Sequence, residues 1–505
     1  MIRCAAASLG AFALVLSAGA ARANDTPVRV KIPSGVVIGR SDGEVDSYKG
    51  VPFAAAPVGP LRWASPRPAP AWNGVRDATA YGPACPQPIN PDAQPNGGGY
   101  VGPTSEDCLS LNVFSPHGAR GAPVMVWIFG GGNVYGANSV PSNDGTGFAR
   151  DGVVLVSVNY RLGALGFLAH PALTREAAPD AALGNYGTLD QIAALAWIRR
   201  NIKIFGGDPD NVTMFGESAG GMDVLTLMTT PAARGLFQKA SVESGGGWAS
   251  PTSLAEAEVA GTALAQALGL PKDASAEQLR ALPADALVAS VGHYAPVVDG
   301  RLIKQGYTEA FARGEQAGVP LIIGSNDYEA SLLPPSGYAA YLAKVAAAKA
   351  AYQGEAKDDV ALVQRMFTDS FGGAPARWIA RHASAKAPAF LYQFTYLRVI
   401  KRGKLPGANH TSEIPYVFDS QMAVPVYRLE IQDEDRAMAA RVHSCWVAFA
   451  KTGKPVCAGG PAWPPYSADS DRLMQFGLTT NVRAHWRKPQ LDAVEQSEGP
   501  AARLK

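Results

Sequence analysis

The sequence predicts an α/β fold, with a mostly parallel central sheet and helices on both faces. Three observations carry that prediction. Val124-Met125-Val126-Trp127-Ile128-Phe129 and Val153-Val154-Leu155-Val156-Ser157-Val158 are continuous apolar runs, as strands covered on both faces require. Between Leu189 and Ile202, the apolar residues Ile192, Leu195, Ala196 and Ile198 keep helical spacing, and a further strand follows. Strand, helix, strand is the crossover unit of a parallel sheet. Finally, Val212-Thr213-Met214-Phe215 runs into Gly216-Glu217-Ser218-Ala219-Gly220-Gly221, a strand that must turn sharply into a helix with a serine at the tip.

The chain begins with Met1-Ile2-Arg3, an apolar stretch from Leu9 to Ala20 and an Ala21-Arg22-Ala23 cleavage pattern, which reads as a signal peptide over 1–23. The apolar stretch is too short to span a bilayer, so no stable membrane insertion is expected. The mature chain, 24–505, reads as a single domain exported to the periplasm or the medium. Residues 28–63 alternate apolar and polar with breaks at Gly35, Gly39 and Gly43, as short antiparallel strands do. Pro57 to Pro95 is proline-rich but punctuated by Trp63, Trp72 and Tyr81, so it reads as an ordered surface loop. Leu109–Phe114 alternates as a strand, Leu236–Val242 and Val319–Gly324 read as buried strands, and Phe390–Tyr396 as a late one. Residues 252–290 are helical, broken by Pro271 and Pro283. Residues 337–385, rich in Ala and Lys, read as a helical insertion over the active-site end of the sheet. Arg436–Thr452 is an amphipathic helix, and the tail from Trp463 is expected to wind back over the surface.

Composition narrows the function. With 47% hydrophobic and 17% charged residues in 505, a large core is available and the composition is not that of a disordered chain. Cleavage after residue 23 removes Arg3 and Arg22 and takes the formal charge from +2 to zero, which gives no basis for nucleic-acid binding. Cys4 leaves with the leader. Cys85, Cys108, Cys445 and Cys457 remain, an even count that in an exported chain suggests disulfides. Local pairing, 85–108 and 445–457, is the simplest of three connectivities, with Cys445 and Cys457 alternatively separate buried thiols. No C-x-x-C or H-E-x-x-H pattern occurs, so no metal site is expected.

The chemistry centres on Ser218. Gly-x-Ser-x-Gly between a strand and a helix is the form of a nucleophile elbow, in which an acid and then a histidine follow the serine in chain order. A serine hydroxyl needs a base within hydrogen-bond reach. Of the seven histidines, His382, His410, His443 and His485 come late enough. His382 and His443 sit in helical patterns and His485 lies near the tail, whereas His410 follows the late strand in the loop Gly407-Ala408-Asn409. The acid should lie just past the strand ending at Ile323, where Asp327 and Glu329 are not separated by spacing; Asp299 reads as a turn residue. The oxyanion donors are expected from Ala219, after the nucleophile, and from Gly130-Gly131-Gly132 after Phe129. A dinucleotide loop is excluded there because its third glycine position is Tyr135.

These residues sit within a wider set of motifs. They are Tyr48-Lys49-Gly50-Val51-Pro52-Phe53 with Pro57-Val58-Gly59-Pro60-Leu61-Arg62-Trp63, Glu106-Asp107-Cys108-Leu109-Ser110-Leu111-Asn112-Val113, Asn159-Tyr160-Arg161-Leu162-Gly163, Phe205-Gly206-Gly207-Asp208-Pro209, and His410-Thr411-Ser412-Glu413-Ile414-Pro415-Tyr416. Together they resemble the type-B carboxylesterases, the α/β-hydrolase group that includes the cholinesterases, over nearly the whole mature chain. The resemblance implies Ser218 as nucleophile, His410 as base and Glu329 as acid. It further implies Gly131, Gly132 and Ala219 as oxyanion donors, a Cys85–Cys108 disulfide, a small-molecule ester as substrate and no cofactor. Departures are Tyr328-Glu329-Ala330 where the family reads Asp-Glu-Gly, and Asn133 where an aromatic usually follows the glycines. Glu217 resembles the family's buried acid beside the nucleophile, which either tunes the histidine's charge or bonds internally. Fold alone does not fix function, so a catalytically silent binding module and an amide or lactone hydrolase are the alternatives.

Overall fold

The computed structural model describes residues 26–89, 102–248, 251–290, 292–344 and 346–500; the expected leader lies outside them. Thirteen strands form the main sheet: β1 Thr26–Ile32, β2 Gly35–Ser41, β3 Val45–Pro52, β4 Val75–Asp77, β5 Ser110–Pro116, β6 Ala122–Ile128, β7 Val154–Val158, β8 Gly207–Glu217, β9 Lys239–Glu243, β10 Leu321–Asn326, β11 Ala389–Phe394, β12 Arg472–Phe476 and β13 Asn481–Ala484. Their order is β1-β2-β3-β5-β7-β6-β8-β9-β10-β11-β12-β13, with β4 beside β2. The run from β7 to β12 is parallel, with antiparallel pairs flanking it on both sides.

The parallel strands are the apolar runs. Every residue of β7, β9, β10 and β11 is buried. Trp127 of β6 and Phe215 of β8 pack with centroids 4.7 Å apart beneath the elbow; burying Phe215 contributes roughly 1.5–3 kcal/mol. Helix α1, Tyr186–Asn201, joins β7 to β8, α2, Ala219–Thr229, follows β8, and α3, Ala374–Ser384, packs on β10 and β11. Helix α4, Asp433–Thr452, packs against β6 and β8. The tail differs from expectation: β12 pairs in parallel with β11 and fully buries Met474 and Phe476. Five residues, Arg-Leu-Met-Gln-Phe, are too short a stretch to announce a core strand. The proline-rich loop is pinned as its tryptophans suggest, Trp63 donating to Ala164 O and Trp72 to Val36 O. Two disulfides, Cys85–Cys108 and Cys445–Cys457, close local loops. Among the described residues no helix is long and apolar enough to cross a membrane.

The ends of the parallel strands gather the candidate site. Strand β6 leads to Gly130-Gly131-Gly132, β8 to Ser218, β9 to Ser244, β10 to Glu329, and β11 to the connection that carries His410.

Candidate active site

At the end of β8 the chain turns on Ser218, with φ 56° and ψ −126°, a conformation that strains any residue with a Cβ. The turn is possible because the residues two positions before and after Ser218 have no side chains. A Cβ on Gly220 would meet Ile128 O at 2.1 Å, and one on Gly216 would meet Gly220 O at 2.6 Å. The Ser218 N–H donates to Glu243 O at 2.9 Å, tying the elbow to β9.

Opposite the elbow, Gly131 and Gly132 have φ of +103° and +64°. A Cβ on Gly131 would meet Tyr135 O at 2.1 Å, so the loop requires glycine there. Among the described residues no hydrogen bond occupies the N–H groups of Gly131, Gly132 or Ala219. All three residues line one cavity with Ser218. Asn133 completes the loop at φ 57° and turns inward, its carbonyl accepting from Gly163 N–H at 2.7 Å. Its side chain reaches Asp223 of α2 at 3.4 Å, and Gln191 donates to the same carboxyl at 2.6 Å. Burial pushes the Asp223 carboxyl up to about 7, from an ordinary 3.8, against the lowering effect of those two amides. A folded-state value above the unfolded one means the stabilising protonated form is fully present below pH 3.8 and lost as pH rises through 7. At alkaline pH the burden on folding reaches roughly 4 kcal/mol. Asp223→Asn keeps an acceptor for Gln191 and removes the titration. It should raise the melting temperature more at pH 9 than at pH 5, and equal gains at both would show that Asp223 does not titrate near neutrality.

Geometry separates the two carboxyls that spacing left equivalent. Glu329 Oε2 lies 2.5 Å from His410 Nδ1, while its Oε1 accepts from Ser244 Oγ at 2.6 Å and from the Asn326 N–H at 2.7 Å. Glu329 is fully buried. Asp327 instead accepts from Ala408 N–H at 2.7 Å and so holds the loop before His410. Asp299 accepts from the N–H groups of Leu183, Arg301 and Ile303 and stays a loop fastener. The other late histidines are occupied elsewhere. His443 bonds Val417 O, His382 bonds Trp378 O, and His485 lies beside Asp471. His410 is packed against the edge of Phe371, and its backbone N–H donates to Ser331 Oγ. Its Nε2 stands 3.0 Å from Glu217 Oε1 without the alignment of a hydrogen bond, and no hydrogen bond joins it to the Ser218 hydroxyl in this structure. Such bonds are often loose in a free enzyme and tighten on the substrate.

Beneath His410 lies a set of buried carboxyls that sequence reasoning largely missed. Glu243, on β9 directly across from Glu217, accepts from Trp446 Nε1 at 2.9 Å. Burial, reinforced by Glu413, holds it well above the usual carboxylate range. Glu413 bonds Asn326 Nδ2, and burial followed by the charge of Glu217 pushes it up to about 8. Glu217 is raised by its own burial, with His410 opposing. Burial works against a charged His410, but Glu217 and Glu329 outweigh it and raise the imidazole well above 6.5. Replacing Glu217 by Gln removes one of the two carboxylates that raise His410. The acid limb of the kcat/KM profile, which reports the free enzyme, should then move to lower pH. A limb that stays in place would separate Glu217 from the titrating base.

The cavity above these groups encloses about 1080 Å³. Ser218 and His410 both line it, and so do Trp248, Tyr307 and Phe371 on its apolar walls. His293, Arg398, Lys401 and Gln421 also line it, and none carried a signal in the sequence.

The family whose description is "Carboxylesterase family" matches residues 26–353 and 338–494. The chain is 36% identical to a fumonisin B1 esterase of Sphingopyxis macrogoltabida, over 93% of this chain and 89% of the relative. It is 37% identical to a para-nitrobenzyl esterase of Bacillus subtilis, over 86% and 92%. Among solved structures, a PNB esterase superposes with a TM-score of 0.82 at 33% identity, covering 92% of this chain and 99% of its own. A carboxylesterase of Geobacillus stearothermophilus gives 0.80 at 32% identity over the same shares.

Proposed function

The chain belongs to the carboxylesterase family and is a carboxylic ester hydrolase of α/β-hydrolase fold, and from that premise we propose that its chemistry runs through Ser218, His410 and Glu329. Ser218 Oγ attacks the ester carbonyl as His410 Nε2 takes its proton. The N–H groups of Gly131, Gly132 and Ala219 stabilise the oxyanion, and losing one such donor typically costs about a hundred- to a thousandfold in turnover. His410 returns the proton to the departing alcohol. Water then enters by the same route and releases the acid from Ser218. Glu329 fixes the Nδ1–H tautomer and stabilises the imidazolium. The observation that carries this reading is the 2.5 Å contact between His410 Nδ1 and Glu329 Oε2. It sits at the wall of the cavity into which the strained elbow brings Ser218. We place the mature protein, 24–505, outside the cytoplasm, a placement supported by its two disulfides.

A fluorophosphonate probe tests the assignment. Peptide mapping should find the label on Ser218, with p-nitrophenyl ester turnover lost in proportion to labelling. A folded protein that takes no label would favour the silent binding module. Faster turnover of an amide than of its matched ester would favour amide hydrolysis.

A further inference from the structure

The charged groups of the cavity are unevenly distributed. Among the described residues that line it, Glu217 is the one acid, and it lies beside Ser218. Arg398 and Lys401 line it too, on the connection between β11 and His410. Arg398 caps and Lys401 ends a single turn of 3-10 helix, Val399–Lys401, in which positions three apart fall on one side.

Arg398 is held in place from behind. Its guanidinium lies 3.8 Å from the centre of the Tyr427 ring, and its Nη1 donates to Glu430 Oε2 at 2.9 Å. That uses one of the five N–H donors of the group. Lys401 has no carboxylate within ion-pair distance among the described residues, whereas its neighbour Arg402 pairs with Glu434, and Asp435 accepts from the Tyr396 hydroxyl. Two more residues of the same lining carry buried donors that have no partner. The Tyr416 hydroxyl and Gln421 Nε2 are buried in residues only 3% exposed, and neither has a hydrogen-bond partner. Burial raises the Tyr416 phenol well above its ordinary range and keeps it a donor, with Arg398 close enough to oppose that rise. The guanidinium, the ammonium, the phenol and the amide give the lining four donor groups, two of them positively charged. Unsatisfied donors in a buried wall are costly unless a ligand supplies the acceptor.

We infer that Arg398, Lys401, Tyr416 and Gln421 form an anion subsite of the ester cavity, and that it selects esters carrying a free carboxylate away from the scissile bond. The inference rests on the esterase reading above and adds the substrate class to it. A carboxylate offers two oxygens to this donor set, and the guanidinium can accept it in a fork geometry. A neutral ester of equal length leaves the same donors unpaired.

The test compares matched pairs. In the acyl half, mono-p-nitrophenyl adipate is set against p-nitrophenyl hexanoate, and the sebacate monoester against the decanoate. In the alcohol half, the acetate of ω-hydroxyhexanoate is set against hexyl acetate. At least one half should favour its acid member in kcat/KM, by about 10- to 100-fold as expected for hydrogen bonds to a charged group. Lys401→Glu should reverse that ratio, and added salt should shrink it. Lys404→Glu changes an exposed lysine outside the cavity wall and should leave the ratio in place. Titration calorimetry of sebacate with wild type and Lys401→Glu reads the subsite without turnover. A neutral preference in every pair, or an acid preference that survives Lys401→Glu, overturns the inference. Sebacate binding lost in Lys401→Glu without any ester turnover would leave the subsite standing and remove the esterase mechanism instead.

Discussion

Ser218→Ala is expected to lower kcat by about a millionfold, the scale on which removing the nucleophile of a serine hydrolase collapses its triad. The loss should fall on chemistry rather than on folding. Alanine keeps the Cβ that Ser218 already tolerates at φ 56°, and the Ser218 N–H bond to Glu243 O belongs to the backbone. The glycines that permit the turn, at 216 and 220, are untouched. What survives is transition-state binding by the free N–H groups, together with substrate positioning in the cavity. The check is steady-state hydrolysis of p-nitrophenyl butyrate beside a thermal melt. A fall smaller than about a hundredfold, the cost of a single oxyanion donor, would mean another group attacks the ester.

The sequence made the backbone of this arrangement readable and left its electrostatics hidden. Gly-x-Ser-x-Gly between apolar strand and small-residue helix marks the elbow because steric exclusion leaves few sequences able to make it. The contacts a Cβ would make at Gly216 and Gly220 are that exclusion in atomic form. Chain order then narrows the candidate base to His410, since the competing histidines fall within or beyond helical patterns. The acid resists the same logic. Asp327 and Glu329 lie two residues apart in one loop, and spacing carries no information on which faces inward. The backbone turns into a short 3-10 segment at Glu329, so one carboxyl meets Ala408 and the other meets His410. Glu243 had no signal except its position at the end of a fully buried strand. Glu413 was visible within a motif but had no role that spacing assigns. Arg398, Lys401 and Gln421 line one cavity while lying on connections whose course no periodicity describes. The features legible in one dimension are those enforced by sterics; pairing between distant side chains is not among them.

Glu329→Gln puts the greatest demand on the proposed mechanism, because the substitution nearly conserves shape. All three neighbours of the carboxylate point donors at it: Ser244 Oγ, the Asn326 N–H and His410 Nδ1. Glutamine has one acceptor oxygen and one NH2. The Asn326 N–H is fixed in the backbone, so the amide oxygen should stay with it and with Ser244, leaving the NH2 toward His410. Nδ1 must then accept, the proton moves to Nε2, and the imidazole can no longer take the proton of Ser218. The expected cost is about ten-thousandfold in kcat, the scale on which a neutral amide in place of the triad acid traps the wrong tautomer. KM should change far less, since Glu329 is fully buried behind the imidazole and touches no substrate. Asp327→Asn is the matched control, because asparagine still offers an oxygen to the Ala408 N–H and leaves the tautomer of His410 alone. Kinetics of the two variants at the wild-type pH optimum separate the candidates. If Asp327→Asn loses more kcat than Glu329→Gln, the acid has been assigned to the wrong residue, and the 2.5 Å contact with His410 is structural rather than chemical.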